Sequence, residues 1–404
     1  MTNFNNQILG HHYKVNDNIF LSKIEAILEA QKTSADISWY FHNHIFDSAD
    51  WTTEPELSLD TLYKIRAQQI RDQFDYVIVL ASGGADSTNA LWSFLKNNIH
   101  VDEIIAGAPM SGLKNYTMNN SNKSVNNTVS ETEYALWPLL DEVKRNYPNV
   151  KITINDYFED ILNYKTDEWL YRAGEWISPV TTKGNLDKFP KLVDMAENGK
   201  KIGVVWGIDK PNIRYLKDGS VCLNILDRAV NIARPSFAKS YPNVETVLFY
   251  YTAQLPELMI KQAHMVAKYI NLPENRWISN LVLDLSRPTS SATSLEYDDL
   301  GLPGAVTTNV KGDYQRSIVP CIYPTHYSQD IFQCAKSNGT FMGLQNSWFY
   351  SLHKDTRAYQ LIKSDFSIFY KNLKPKYLAP SRREFKFYKL SYKIGHISNF
   401  KENI

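Results

Sequence analysis

The chain is 404 residues long, 43% apolar and 22% charged, and carries a net charge of +1. That length holds two domains or one large elaborated domain, and the composition is that of an ordinary soluble globular protein. The near-zero charge excludes a global field that would draw the chain to nucleic acid or membrane.

No run approaches 18 uninterrupted apolar residues, so no membrane-spanning helix is expected. The first residues, MTNFNNQILGHHYKVND, lack the apolar core of a signal peptide. Cys222, Cys321 and Cys334 form neither a CxxC pair nor an even framework, which predicts reduced thiols and a cytoplasmic setting.

In chain order, residues 1–75 read as a helical cap. Ile19–Gln31 places Phe20, Ile24, Ile27 and Leu28 at helical spacing. Ser38–Phe46 is strongly aromatic, and Leu59–Phe74 follows Ser58, a helix N-cap residue type. His42, His44 and Asp47 are metal-ligand types, but they lie between Phe41 and Phe46 and read better as members of an aromatic cluster.

From residue 76 the pattern alternates. Val77–Leu80, Val101–Ala106, Val150–Ile154 and Ile202–Trp206 read as strands. Glu131–Tyr147 reads as a helix that Pro138 either kinks or starts. Continuous apolar strands between helices predict an α/β fold with a doubly wound parallel sheet covered on both faces. Ligands bind at the carboxyl ends of strands in such sheets, where the loops 82–87 and 207–211 both leave.

Residues 110–130 are polar and read as a lid or a loose surface loop. Beyond residue 215 a mixed α+β elaboration is expected. Pro256–Ile270 is a helix with Met259, Ala263, Val266 and Ile270 on one stripe, and His264 on it reads as a satisfied interface histidine. Residues 284–316 read as loop, Asp330–Ser337 and Trp348–Phe369 as helices, and Glu384–Ile394 as an edge strand or hairpin arm. Residues 371–404 carry nine Lys and Arg against two Glu, with aromatics interleaved. This is the pattern of a nucleic-acid-contacting arm, and also of a terminal edge strand whose lysines block sheet pairing; the second reading is preferred.

The stretch most informative about chemistry is Tyr76–Ser93, YVIVLASGGADSTNALWS. A buried strand runs into Ser82-Gly83-Gly84-Ala85-Asp86-Ser87, and that turn opens a helix. Glycine lets backbone approach a ligand closely, and the loop N–H groups converge with the positive end of the helix dipole. Two hydroxyls and a carboxylate within six residues suit a phosphate with a bound cation. Asp86 repels phosphate directly, so its expected role is to bind Mg²⁺. Neither GxxxxGK[ST] nor GxGxxG occurs.

The hexapeptide Ser82–Ser87 matches SGGxDS and resembles the PP-loop ATP pyrophosphatases, such as asparagine synthetases, NAD and GMP synthetases, and tRNA lysidine synthetases and thiolases. The resemblance implies a Rossmann-like ATP-binding domain over residues 76–215, between the cap of residues 1–75 and a substrate-shaping region of residues 216–404. It also implies ATP and Mg²⁺ as cofactors and attack by a substrate oxygen on the α-phosphorus. Pyrophosphate would leave, held by Ser82, Gly83, Gly84 and Ser87, and a nitrogen nucleophile would capture the adenylate. By the same resemblance Ala106, Gly107 and Ala108 would meet adenine. Asp209 would ligate Mg²⁺ and Lys210 would contact phosphate, unless Asp209-Lys210-Pro211 is a simple turn. Lys183, Arg214 and Lys336 are further cations that the sequence does not rank.

Thr2 and the short stretch before the loop strand predict no glutaminase domain of the asparagine type, so ammonia, if it is the acceptor, would come from solution or another subunit. The expected substrate is a small molecule. The alternatives are a nucleobase in RNA or DNA, reached through the basic residues 371–404, or a nucleotide-sensing module without chemistry.

Overall fold

A computed structural model describes residues 10–108, 132–156, 186, 188–208, 210–232, 241–275, 318–323, 373–377 and 386–400. Its centre is a five-stranded sheet built from β4 (Tyr76–Ala81), β5 (Glu103–Ala108), β6 (Lys151–Asp156), β7 (Ile202–Trp206) and β10 (Val244–Leu248). The spatial order is β10-β7-β4-β5-β6 and every pair is parallel. From β4 the chain moves outward through β5 to β6, then returns to place β7 on the opposite side of β4. The loops after β4 and β7 therefore share the crevice at the point where the strand order reverses.

The apolar runs explain why these strands lie in the middle. Val77, Val79 and Ala81 face the larger core, together with α3 (Leu59–Gln73) and α4 (Ala85–Leu95). Tyr76, Ile78, Ile202 and Val204 face a second core containing Leu192 and Ala196 of α6 (Pro190–Glu197). Both faces are covered, as the continuous rather than alternating hydrophobicity predicts. The fold is α/β.

Capping follows local chemistry. The Ser58 hydroxyl accepts from the Thr61 N–H at 3.2 Å and starts α3. Pro138 lies in the first turn of α5 (Trp137–Asn146), so it marks a start rather than a kink, after a π-helical turn over Thr132–Leu136. The helix α8 (Pro256–Asn271) buries Met259, Ala263, Val266 and Ile270, the expected stripe.

The N-terminal part, expected to be mainly helical, also carries a sheet. Besides α1 (Lys23–Thr33), α2 (Asn43–Phe46) and α3 it forms an antiparallel sheet of β2 (Asn18–Phe20), β1 (His11–Val15) and β3 (Ile37–Phe41), in the order β2-β1-β3. These strands are short and broken by turns, and the aromatic run that seemed a mere cluster is β3, with Trp39 and Phe41 buried.

A third sheet, ordered β11-β9-β8, pairs β8 (Asn212–Tyr215) and β11 (Lys389–His396) antiparallel with β9 (Ser220–Leu226). The parallel sheet takes β10 from beyond residue 215, whereas β8 belongs to this third sheet. On β11 Lys389, Ser391 and Lys393 are exposed while Ile394 is buried, matching the edge-strand reading of this basic stretch. The expectations for residues 110–130, 284–316, 330–337 and 348–369 lie outside the described residues. No helix among the described residues is long and apolar enough to cross a membrane.

The N-terminal and third sheets are joined by a buried charge cluster. Lys23 Nζ lies 2.9 Å from Asp227 Oδ2, both side chains being fully buried. The same oxygen accepts from Tyr13 Oη at 2.7 Å, and Oδ1 accepts from the Tyr388 N–H at 3.1 Å. Such a pair gains little over an apolar substitute, but removing one partner strands the other. Lys23→Met, which leaves Asp227 buried without its cation, is expected to lower unfolding free energy by about 3–5 kcal/mol; urea titration of the two proteins checks this.

Candidate functional site

The site begins where β4 ends. Gly83 has φ +83°, and a Cβ there would lie 2.6 Å from the Leu136 backbone nitrogen, so only glycine makes the bend. Ser82 and Ser87 hold its shape. The Ser82 hydroxyl accepts from the Gly84 N–H at 3.2 Å, and the Ser87 hydroxyl accepts from the Ser82 N–H at 3.2 Å while donating to the Gly84 carbonyl at 3.1 Å. The two hydroxyl oxygens are 3.3 Å apart.

Gly84 is the N-cap of α4 and supplies no side-chain cap. Among the described residues no acceptor meets the N–H groups of Gly83, Ala85 and Ser87. A turn shaped by its own serines, with backbone donors left at a helix start, attracts an anion.

The loop after β7 closes over this turn. Gly207 is close-packed on it: a Cβ would lie 2.7 Å from both the Asp86 carbonyl oxygen and the Ser87 Cα. Three residues on, Lys210 Nζ reaches Asp86 Oδ2 at 2.5 Å. The lysine side chain is 10% exposed and the carboxylate 21%, so the pair is half withdrawn from water and its attraction exceeds that of a surface pair.

Three tyrosines hold Asp86 and Lys210, and an arginine braces the end of β10. Tyr323 donates to Asp86 Oδ1 at 2.6 Å, and Tyr250 donates to the Asp86 carbonyl at 2.8 Å while accepting from Asn89 at 3.0 Å. Tyr251 donates to the Lys210 carbonyl at 3.1 Å. Burial, and then the Asp86 charge, push the Tyr250 and Tyr323 phenols well above their ordinary range, so both remain donors at neutral pH. Arg66 is buried and donates to the Leu248 and Phe249 carbonyls at 2.9 and 3.2 Å and to Gln254 at 2.6 Å, pinning the end of β10. Burial lowers its pKa to about 9, which leaves it charged at neutral pH.

The structure thus brings Ser82, Gly83, Gly84, Asp86, Ser87 and Lys210 together. Ala106 and Gly107 belong to β5, which continues to Ala108 along β6 but pairs with β4 only as far as Ala106. Gly107 and Ala108 therefore outrun β4 at the carboxyl end of the sheet. Asp209, Lys183 and Lys336 lie outside the described residues. Arg214 sits on β8, opposite Cys222. His264 Nε2 is 2.9 Å from the Trp51 carbonyl and its ring meets Phe400, the interface role expected of it. The His42 ring packs against Phe41 and Phe46.

Sequence reasoning missed Arg66, Tyr250 and Tyr323. In a chain with 25 tyrosines nothing distinguishes the last two; the one usable signal was Phe249-Tyr250-Tyr251 directly after a strand.

The donor set fits a metal that enters with phosphate rather than a bare ion. Among the described residues no three His, Cys, Asp or Glu side chains gather, whereas one carboxylate beside backbone donors at a helix start is the provision Mg²⁺ uses when phosphate oxygens supply other ligands. No protein-family model matches the chain, and no curated protein or solved structure was found similar to it.

Gly207→Ala is expected to push the β7 loop off the turn, at a cost of roughly 1–3 kcal/mol for overpacking. A fall in thermal midpoint checks it; Gly207 is not among the glycines with positive φ, so the change there reports packing rather than backbone strain.

Proposed function

We propose that the chain is an ATP-dependent enzyme that releases AMP and pyrophosphate, adenylating a substrate oxygen and passing the activated group to a nitrogen nucleophile. The observation that carries this reading is the meeting of Asp86, in an SGGxDS turn, with Lys210 from the neighbouring strand's loop, at the reversal point of a parallel sheet. Ligands of α/β sheets bind in such crevices. The likeness of the turn to the SGGxDS signature of PP-loop ATP pyrophosphatases is what points to a triphosphate and to cleavage at its α-phosphorus.

In this reading the backbone donors of Gly83, Ala85 and Ser87 take the β- and γ-phosphates. Ser82 and Ser87 keep those donors aimed by holding the turn, so little reorganises when charge moves onto the leaving pyrophosphate. Lys210 exchanges its carboxylate for phosphate oxygens, a short swing for a flexible ammonium. Asp86, relieved of the lysine, would hold a metal through Oδ2. Mg²⁺, when bound, supplies charge neutralisation across the phosphates. The outrunning backbone of Gly107 and Ala108 offers hydrogen bonds to an adenine edge.

α-Labelled ATP, incubated with metabolite pools and separately with RNA and DNA, is expected to yield labelled AMP on addition of one small-molecule pool. Asp86→Asn and Lys210→Met should each lower that release by about 10²–10³-fold, the loss usual for one preorganised electrostatic contact. Labelled ADP would overturn the reading. Release triggered only by nucleic acid would move the substrate to a nucleobase, and tight ATP binding with no product in any pool would leave a sensor.

A further inference from the structure

Asp86 is held by more than its lysine. Among the described residues its two carboxylate oxygens meet partners of different character: Tyr323 donates to Oδ1 at 2.6 Å and Lys210 contacts Oδ2 at 2.5 Å. The phenol is wholly buried, so it cannot trade this bond for water. Lys210, on a flexible stem, can leave. The fixed partner therefore occupies one oxygen and the exchangeable partner occupies the other.

Tyr323 is itself immobilised from behind. It follows the short helix α9 (Val319–Ile322), and its N–H donates to the Val319 carbonyl at 2.8 Å. The preceding carbonyl, of Ile322, accepts from the Tyr63 phenol of α3 at 2.7 Å. Tyr63 in turn accepts from Gln262 of α8 at 2.9 Å. Its ring and that of Tyr250 pack on Tyr323 with centroids 6.3 and 5.6 Å away. A relay of buried groups thus runs from α8 through α3 to one oxygen of Asp86, across 237 residues of sequence in its last step.

Resting on the reading of the 82–87 turn as a metal–nucleotide site, we infer that Tyr323 is a positioning residue that holds Asp86 Oδ1 and so orients Oδ2 toward the exchange between Lys210 and the metal. The segment 318–323 then belongs to the nucleotide site although it touches no phosphate. Its contribution is orientational: without the phenol the carboxylate turns about its Cβ–Cγ bond, and the metal must restrain it on binding. Outer groups that orient a metal ligand typically change metal affinity by about 10–100-fold when removed.

The test needs no turnover. The full chain is titrated with Mg²⁺ at saturating α,β-methylene-ATP, which cannot release pyrophosphate, and complex formation is followed by the rise in thermal midpoint. Tyr323→Phe keeps the ring and loses only the hydroxyl; the Mg²⁺ concentration at half-effect is expected to rise about 10-fold, with full binding regained in excess Mg²⁺. Tyr215→Phe, which removes a buried phenol bonded to Asn271 instead, controls for destabilisation alone and should leave that concentration unchanged. Should Tyr323→Phe fail to fold, Tyr63→Phe acts one step out and must move the half-effect concentration the same way by a smaller factor. A half-effect concentration unchanged in the folded variant overturns the role of Tyr323 while leaving the nucleotide site standing. Wild-type protein that binds no nucleotide at any Mg²⁺ concentration overturns both.

Discussion

The contact between Asp86 and Lys210 is the constraint around which the site is arranged. A carboxylate at the mouth of a helix N-terminus is stabilised by the dipole, but here it is also half withdrawn from water and would be costly without a cation. Lys210 supplies that cation from a different strand, so the pair ties the β4 and β7 loops at the crevice between them. Gly207 makes this approach possible because nothing larger fits between the loop and the Asp86 carbonyl. The same features that settle the electrostatics therefore set the width of the crevice.

The surrounding wall is polar yet closed. Tyr250, Tyr323 and Arg66 lie within the protein, and each directs its polar atoms at a specific partner: the Asp86 carbonyl, the Asp86 carboxylate and the end of β10. Buried donors of this kind resist displacement because leaving them unpaired costs the full desolvation penalty. The outcome is an aspartate fixed at its backbone and at one oxygen, with its other oxygen against the Lys210 ammonium. A rigid frame with one exchangeable contact suits a site that must accept and release a charged ligand.

Distant parts of the chain depend on one another elsewhere too. Asp227 gathers Lys23, Tyr13 and the Tyr388 backbone in a fully buried cluster, so that the N-terminal sheet, the third sheet and the C-terminal strand meet at one charge. The larger core runs without interruption from Tyr13 and Phe41 through Val79 to Ile394. The segments on either side of the parallel sheet are thus packed with it, and α9 can deliver Tyr323 to the turn because that packing is continuous.

What the sequence determined by itself was the central α/β layer and the turn within it. Continuous apolar runs in β4, β5 and β7 report burial on both faces, and Gly83 and Gly84 between hydroxyl residues announce a tight turn; both signals are local and need no partner. Short strands escaped it: β1, β2 and β3 acquire their identity from antiparallel pairing, which no window of residues contains. Only the tertiary structure decided that Lys210, Tyr250 and Tyr323 meet Asp86 and that Arg66 braces the end of β10. Those contacts join residues separated by 124 to 237 positions, and their free energy comes from shared burial that exists only once the chain has closed on itself.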